Sequence, residues 1–153
     1  MLHIALFEPE IPPNTGNIAR SCAATGTRLH LIGRLGFRID EPSLKRAGVD
    51  CWEHADVQRH ADWAAFRAAI GASRIIPFSS HATTPWTQVA YRPDDCLLFG
   101  SESRGLPTWV ESAEGDTHPP VVLPIASCHV RSLNLATAAA IVLYEALRQL
   151  GKV

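Results

Sequence analysis

Asp95-Cys96-Leu97-Leu98-Phe99-Gly100-Ser101-Glu102-Ser103-Arg104-Gly105-Leu106-Pro107 reads as a buried strand, a polar loop and the start of a helix that extends to Ala113. The apolar run Asp95–Phe99 is too short for a helix and ends at a glycine. That is the pattern of a strand covered on both faces, as in parallel sheets. Gly100 lets a ligand or another stretch of backbone approach closely. Between the two glycines stand Glu102 and Arg104. The plain alternative for this loop is a strand-to-helix turn in which Glu102 caps backbone amides.

The same grammar repeats outward from this point. Upstream, Arg74–Phe78 is a buried strand. It is preceded by a helix over Asp62–Ile70, with Trp63, Phe66 and Ile70 at helical spacing and Gly71 as its stop. Cys51–His54 reads as a brief strand, Glu41–Ala47 as a short helix stopped by Gly48, and Gly33–Asp40 as a loop. Arg28–Ile32 and Leu2–Phe7 are strands. Between these two, Glu8-Pro9-Glu10-Ile11-Pro12-Pro13 resists regular structure because its prolines lack donors. Asn14 is placed to cap a helix running to Thr25, with Gly26 as the stop. Downstream, Pro120–Ile125 is the last strand. Ser132 is the natural cap of the longest helix, which runs to Leu150 and carries Leu135, Ala139, Val142, Leu143, Ala146 and Leu150. Alternating strands and helices predict a single α/β domain over residues 1–153, with a mainly parallel sheet flanked by helices. Ligands of such sheets bind at the carboxyl ends of strands.

Composition narrows the function. With 46% hydrophobic and 19% charged residues the chain reads as globular rather than disordered. No apolar run approaches the roughly 18 residues that span a membrane. Met1-Leu2-His3-Ile4 lacks the basic region of a leader, so a cytoplasmic location is expected. Cys22, Cys51, Cys96 and Cys128 show no metal-ligand spacing, nor do the seven histidines, so free thiols and no metal are expected. The net charge of −1 is not that of a basic nucleic-acid module, yet five of the 14 basic residues fall together: Arg28, Arg34, Arg38, Lys45 and Arg46. Arginine suits phosphate and stacks on bases. An ordinary solvated loop accounts for the same run.

Three loops follow strands. The first, Asn14-Thr15-Gly16-Asn17-Ile18-Ala19-Arg20, opens a helix whose free amides attract anions. It has neither the dinucleotide fingerprint nor the Gly-Lys-Ser/Thr of a phosphate loop. The second is the loop from Gly100 to Gly105. The third is Arg131-Ser132-Leu133-Asn134-Leu135. Together Asn14-x-Gly16-Asn17-x-x-Arg20, Phe99-Gly100-x-Glu102-x-x-Gly105-Leu106 and Arg131-Ser132-Leu133-Asn134-Leu135 resemble the three ordered motifs of the SPOUT methyltransferase superfamily. Phe7–Ile18 and Tyr144-Glu145-Ala146-Leu147 resemble its minimal branch, which methylates the 2'-hydroxyl of the tRNA wobble nucleotide (cytidine or uridine, position 34). The sequence departs from that pattern at Ala136 and Thr137, where many members carry Ser and Asn, and at Cys128-His129.

This resemblance implies a C-terminal trefoil knot, S-adenosyl-L-methionine as methyl donor (S-adenosyl-L-homocysteine as product), a tRNA substrate and a homodimer. Each active site would be completed by the partner's first motif. It implies donor binding by Phe78, Gly100, Leu123, Ile125 and Ser132. It places Arg20 at the ribose and adds Glu102, Ser132 and Asn134 as catalytic candidates. Asn14, Asn17 and the basic run are candidates for RNA. Methyl transfer from a sulfonium releases a neutral thioether, so position and removal of the hydroxyl proton are what the protein must supply. Arg20 stays protonated and is a poor base. It fits a grip on phosphate, with a phosphate oxygen or water taking the proton. Glu102 is either that base or a structural anchor for its loop. Methylation at another tRNA or rRNA position and a non-catalytic RNA-binding knotted dimer are the alternatives. A dehydrogenase is disfavoured by the missing glycine fingerprint.

Overall fold

The computed structural model describes residues 1–39, 51–112 and 117–153. Among the described residues the strands are β1 His3–Phe7, β2 Arg28–Ile32, β3 Val57–His60, β4 Ile75–Pro77, β5 Thr84–Pro85, β6 Cys96–Phe99 and β7 Val121–Val122. The helices are α1 Pro12–Thr25, α2 Trp63–Ile70, α3 Thr108–Glu111 and α4 Leu135–Gln149. Five strands make one wholly parallel sheet in the order β3-β2-β1-β6-β4. The chain that follows α3 lies along the outer edge of β4, with His118 N donating to Ile75 O at 2.7 Å and Ser79 N to Val121 O at 3.0 Å. There β5 and β7 pair as a second, two-stranded parallel sheet.

The near-complete burial of β1, β2 and β6 is explained by cover on both faces. Leu2, Ile4, Leu6, Leu29, Leu31 and Leu97 point to a core shared with Ile18 and Cys22 of α1 and Val142, Leu143 and Ala146 of α4. Ala5, Phe7, Ile32 and Leu98 point the other way, to Phe66 and Ile70 of α2 and Val110 of α3. The four cysteines are free, as expected. Burial pushes the Cys22 thiol up to about 12. Among the described residues no helix is long and apolar enough to cross a membrane.

The second face holds a row of three imidazoles. His3 Nδ1 lies 3.0 Å from His30 Nε2, and His30 Nδ1 lies 2.9 Å from His60 Nε2. The row crosses β1, β2 and β3 beneath Phe66, whose ring meets His30 and His60 edge-on at 5.5 Å. A neutral imidazole has one donor and one acceptor, so in a row of three neutral rings the central His30 is satisfied on both sides. Burial, then the neighbouring His3 and His60, then Arg28 pull His30 down to about 3. Burial also lowers His3 and His60.

Several boundaries differ from the sequence reading. Asn14 does not cap α1. The cap position is Ile11, without a side-chain bond, because Pro12 and Pro13 open the helix and have no amide to satisfy. Gly26 ends α1 in the left-handed region, as expected. Ser132 does not cap α4; Asn134 does, accepting from Ala136 N at 2.9 Å and Thr137 N at 3.2 Å. Cys51–His54 is not a strand: Trp52–His54 is a 3-10 turn, and the strand is Val57–His60, hidden by its polar Gln58 and Arg59. The predicted strand Pro120–Ile125 shrinks to Val121–Val122, and the helix after Pro107 to Thr108–Glu111. The expected helix Glu41–Ala47 and its stop Gly48, with Lys45 and Arg46, lie outside the described residues, as does Ala113.

Candidate active site

The loops after β1, β6 and β7 meet at the carboxyl end of the sheet, and side chains interlock them. Glu102 Oε2 accepts from Glu10 N at 2.7 Å; its Oε1 accepts from Ile11 N and from Asn14 Nδ2, each at 3.1 Å. The bonding is reciprocal. The Glu10 carboxylate accepts from Ser103 N at 3.1 Å and Ser103 Oγ at 2.8 Å. Asn14 then extends the chain to the third loop, its Oδ1 accepting from Asn134 Nδ2 at 2.9 Å. Asn134 passes it on to the first amides of α4. All three sequence motifs are therefore joined by one run of hydrogen bonds from Glu102 through Asn14 and Asn134 to α4.

The second loop is also closed on itself. Ser101 N donates to Gly105 O at 3.2 Å and Gly105 N to Ser101 O at 2.9 Å. A Cβ on Gly100 would collide with the backbone of Gly105 and Leu106. The glycine requirement comes from this returning backbone rather than from ligand space. Gly105 itself, at φ +67, makes the left-handed turn that the closure needs.

Beside these loops lies a cleft of about 1040 Å³, at the upper end of the range for small-molecule sites, roughly 300–1,000 Å³. Phe78, Gly100, Leu123, Ile125 and Ser132 all line it, so the structure brings together every residue expected to hold the donor. Phe78 stacks on Phe99 with ring centres 4.8 Å apart, giving one wall a rigid apolar surface. On the other wall, the main chain between Ile125 and Leu133 forms neither helix nor strand, so its amides are not consumed in a ladder. Apolar side chains, a hydroxyl and unladdered backbone suit a ligand with an aromatic base at one end and polar groups at the other.

Glu102 and Asn134 line the same cleft, but Arg20 does not. Pro13, Asn17, Arg20 and Ala24 form an exposed stripe of α1, and among the described residues Arg20 has no hydrogen-bond or ion-pair partner. Asn14 was expected at RNA; it is 6% exposed and its amide is spent at both ends inside the chain, which removes it from that role. The basic run is divided. Arg28 sits at the amino end of β2, its Nε 2.6 Å from Asp56 Oδ2. Arg34 and Arg38 are exposed beyond the carboxyl end of that strand, roughly 13 Å away or more at 3.3 Å per residue.

Sequence reasoning missed two features. Glu10 was passed over as part of a proline-rich connection, although a carboxylate fixed between prolines has few other tasks. Ser79-Ser80-His81 lines the cleft and directly follows the strand that ends near Phe78. The rule that loops after strands carry ligands points to it as it did to the other three.

A parallel sheet with three interlocked loops at its carboxyl end and a cleft lined by all of them defines a class. Residues 1–144 match the SpoU rRNA methylase family, and the chain belongs to it. Among its relatives is the tRNA (cytidine(34)-2'-O)-methyltransferase of Methylovorus glucosotrophus, 45% identical over 149 residues, covering 97% of this chain and 96% of the relative. A structure solved in work on the 2-OH methylation of C/U34 on tRNA superposes with a TM-score of 0.93 at 45% identity, over 100% of this chain and 98% of that one. The SpoU methyltransferase AviRb from Streptomyces viridochromogenes, in complex with the cofactor AdoMet, has a TM-score of 0.84 at 25% identity, over 100% of this chain and 62% of that one.

Proposed function

We propose that this protein transfers a methyl group from S-adenosyl-L-methionine to the ribose 2'-hydroxyl of the wobble nucleotide, cytidine or uridine 34, of tRNA. It acts in the cytoplasm as a homodimer of single-domain protomers, each with its C-terminal segment threaded as a trefoil knot. The observation that carries the reading is the convergence of all three motifs, through Glu102, Asn14 and Asn134, on one cleft. The relatives that match over nearly the whole chain at 45% identity support the choice of substrate.

Phe78, Gly100, Leu123, Ile125 and Ser132 would hold the methyl donor. When bound, it supplies an electrophilic methyl group on a sulfonium whose departure needs neither metal nor acid. The chain's own residues do the rest. Glu102 already accepts three hydrogen bonds, so its part is to fix the first loop against the second rather than to take the proton. Asn134 sets the start of α4, and Ser132, exposed at the rim, is left to meet the ligand. Arg20 and Asn17 are exposed and do not line their own cleft, which supports a site completed by the partner protomer. Ile141 and Tyr144, exposed one turn apart on α4, are apolar surface for such a partner. Arg20 grips the phosphate beside the target ribose and polarises the hydroxyl. A phosphate oxygen or water takes the proton late, since a ribose hydroxyl is a poor acid.

The test is incubation of the protein with labelled methyl donor and total tRNA, followed by mapping of the modified nucleotide. A 2'-O-methyl label at position 34 is the expected result. Label at another nucleotide would transfer the activity elsewhere in RNA. No label, with tRNA bound, would leave a binding protein.

A further inference from the structure

The carboxyl end of β1 carries a surface that begins at the cleft's rim, where Arg104 lines it, and runs beyond it to Trp109 and Arg34, which do not. Trp109, on α3 just beyond the second loop, is 55% exposed. Its position is nevertheless fixed. The buried Phe7 meets it edge-to-face at 5.8 Å and 80°, and Trp63 at 6.2 Å and 89°. An indole braced by two rings nearly perpendicular to it, yet more than half exposed, offers aromatic surface to a partner rather than a core contact. The next residue, Glu8, is a non-glycine at φ 49, a strained conformation of the kind that gathers at functional sites. Two arginines border it. Arg104, 71% exposed, has Nη2 3.5 Å from Glu8 Oε2 and Nε 3.9 Å from Glu10 Oε1. Arg34 is exposed and follows Gly33, where a Cβ would stand 3.1 Å from Glu8 Cγ. Long ion pairs at that exposure are screened and weak, so the Arg104 guanidinium is held without being consumed.

We propose that Trp109, Arg104 and Arg34 form a shelf that receives an RNA nucleotide neighbouring the methylated ribose. The base lies on Trp109 and its flanking phosphates reach the two arginines. Aromatic faces hold bases without regard to sequence, and a guanidinium accepts phosphate as a fork. The inference rests on the RNA-methyltransferase reading above and adds to it where the strand runs from the rim of the donor cleft outward.

The test is fluorescence titration of the protein with an anticodon stem-loop oligonucleotide, alongside steady-state methylation of tRNA. Wild type is expected to show tryptophan quenching. Trp109→Ala should raise the oligonucleotide Kd and the tRNA KM about tenfold, the order of one lost base stack. Its kcat and donor affinity should stay within twofold. Trp109→Phe should keep most of the affinity but lose the greater part of the quench, which a merely structural ring would not do. Arg104→Ala should flatten the salt dependence of binding by about one unit of log–log slope. Unchanged Kd and quench in Trp109→Ala, in a wild type that methylates tRNA, would overturn the shelf and leave the enzyme reading standing. Self-association lost in Trp109→Ala with RNA affinity intact would assign the surface to a second copy of the chain and overturn it equally. A wild type that neither binds nor methylates tRNA would fail the earlier reading instead.

Discussion

Asn134 donates from Nδ2 to Asn14 Oδ1 across 2.9 Å, while its own Oδ1 receives the first amides of α4. One side chain therefore does two separable things: it caps a helix and ties the third loop to the first. Asn134→Ala should cost about 1–2 kcal/mol in urea unfolding, the worth of a cap with a partner left unpaired. Asn134→Ser retains a cap oxygen on a shorter side chain that cannot also reach Asn14. It should recover most of the stability yet still bind S-adenosylhomocysteine more weakly than wild type. Equal losses of stability in the two variants would show that the cap is not the main contribution.

The closed second loop gives a sharper contrast. Gly100→Ala forces the Gly105–Leu106 backbone apart, so it should lower the melting temperature and donor affinity together, with a cost of at least about 2 kcal/mol. Leu123→Ala and Ile125→Ala, at the partly exposed rim, should weaken donor binding with a much smaller change in melting. Calorimetry with S-adenosylhomocysteine beside thermal unfolding separates the two cases.

The imidazole row predicts an acid-sensitive fold. His30 sits well below its unfolded value of 6.5, and His3 and His60 are lowered too. A histidine lowered in the folded state contributes stability that is present above pH 6.5 and is lost as pH falls below it. His30 alone should remove about 1.4 kcal/mol for each pH unit below 6.5, until the carboxylates titrate below about 4.5. Urea midpoints measured from pH 7.5 to 5 should fall accordingly. His30→Gln should flatten most of that slope; a wild-type stability unchanged down to pH 5 would contradict the buried neutral row.

Arg20→Ala should reduce single-turnover methylation at least about a hundredfold with fold and donor affinity intact, and Arg20→Lys should not restore it, because lysine lacks the planar fork. If the site is shared, mixing Arg20→Ala protomers with donor-site variants such as Leu123→Ala should recover activity in the mixed dimers. Failure of the mixture to exceed either parent would place Arg20 in its own protomer's chemistry.

Thr15 is fully buried and its hydroxyl has no partner among the described residues. Thr15→Val keeps the branched shape and removes an unsatisfied group, so it should be neutral or stabilise by up to about 1 kcal/mol.

Elements marked by glycine, proline and unbroken apolar runs were legible from sequence. Arg28–Ile32 forms its strand at the predicted limits, and Gly26 stops α1 where its conformational freedom requires. β3 escaped notice because Gln58 and Arg59 interrupt its apolar signal, and because it sits at the sheet's edge, where backbone pairing with β2 rather than side-chain pattern holds it. The residues expected to hold the donor were reached through a family pattern, and they all line one cleft. The contacts among them were not legible. No spacing in the chain indicates that Asn14 and Asn134 share a hydrogen bond, or that His3, His30 and His60, on three different strands, stand in line.

The order β3-β2-β1-β6-β4 places β1, which precedes its partners in the sequence, at the centre of the sheet. His3 pairs with Arg28 early in synthesis, but its other neighbour, Cys96, arrives only after most of the chain has emerged. Until then one edge of β1 is open, and loops of long sequence separation must close before the apolar faces are covered. The nascent protein should therefore fold late and slowly for its size, and its half-made intermediates should be the forms that chaperones meet and that aggregate when expression is forced.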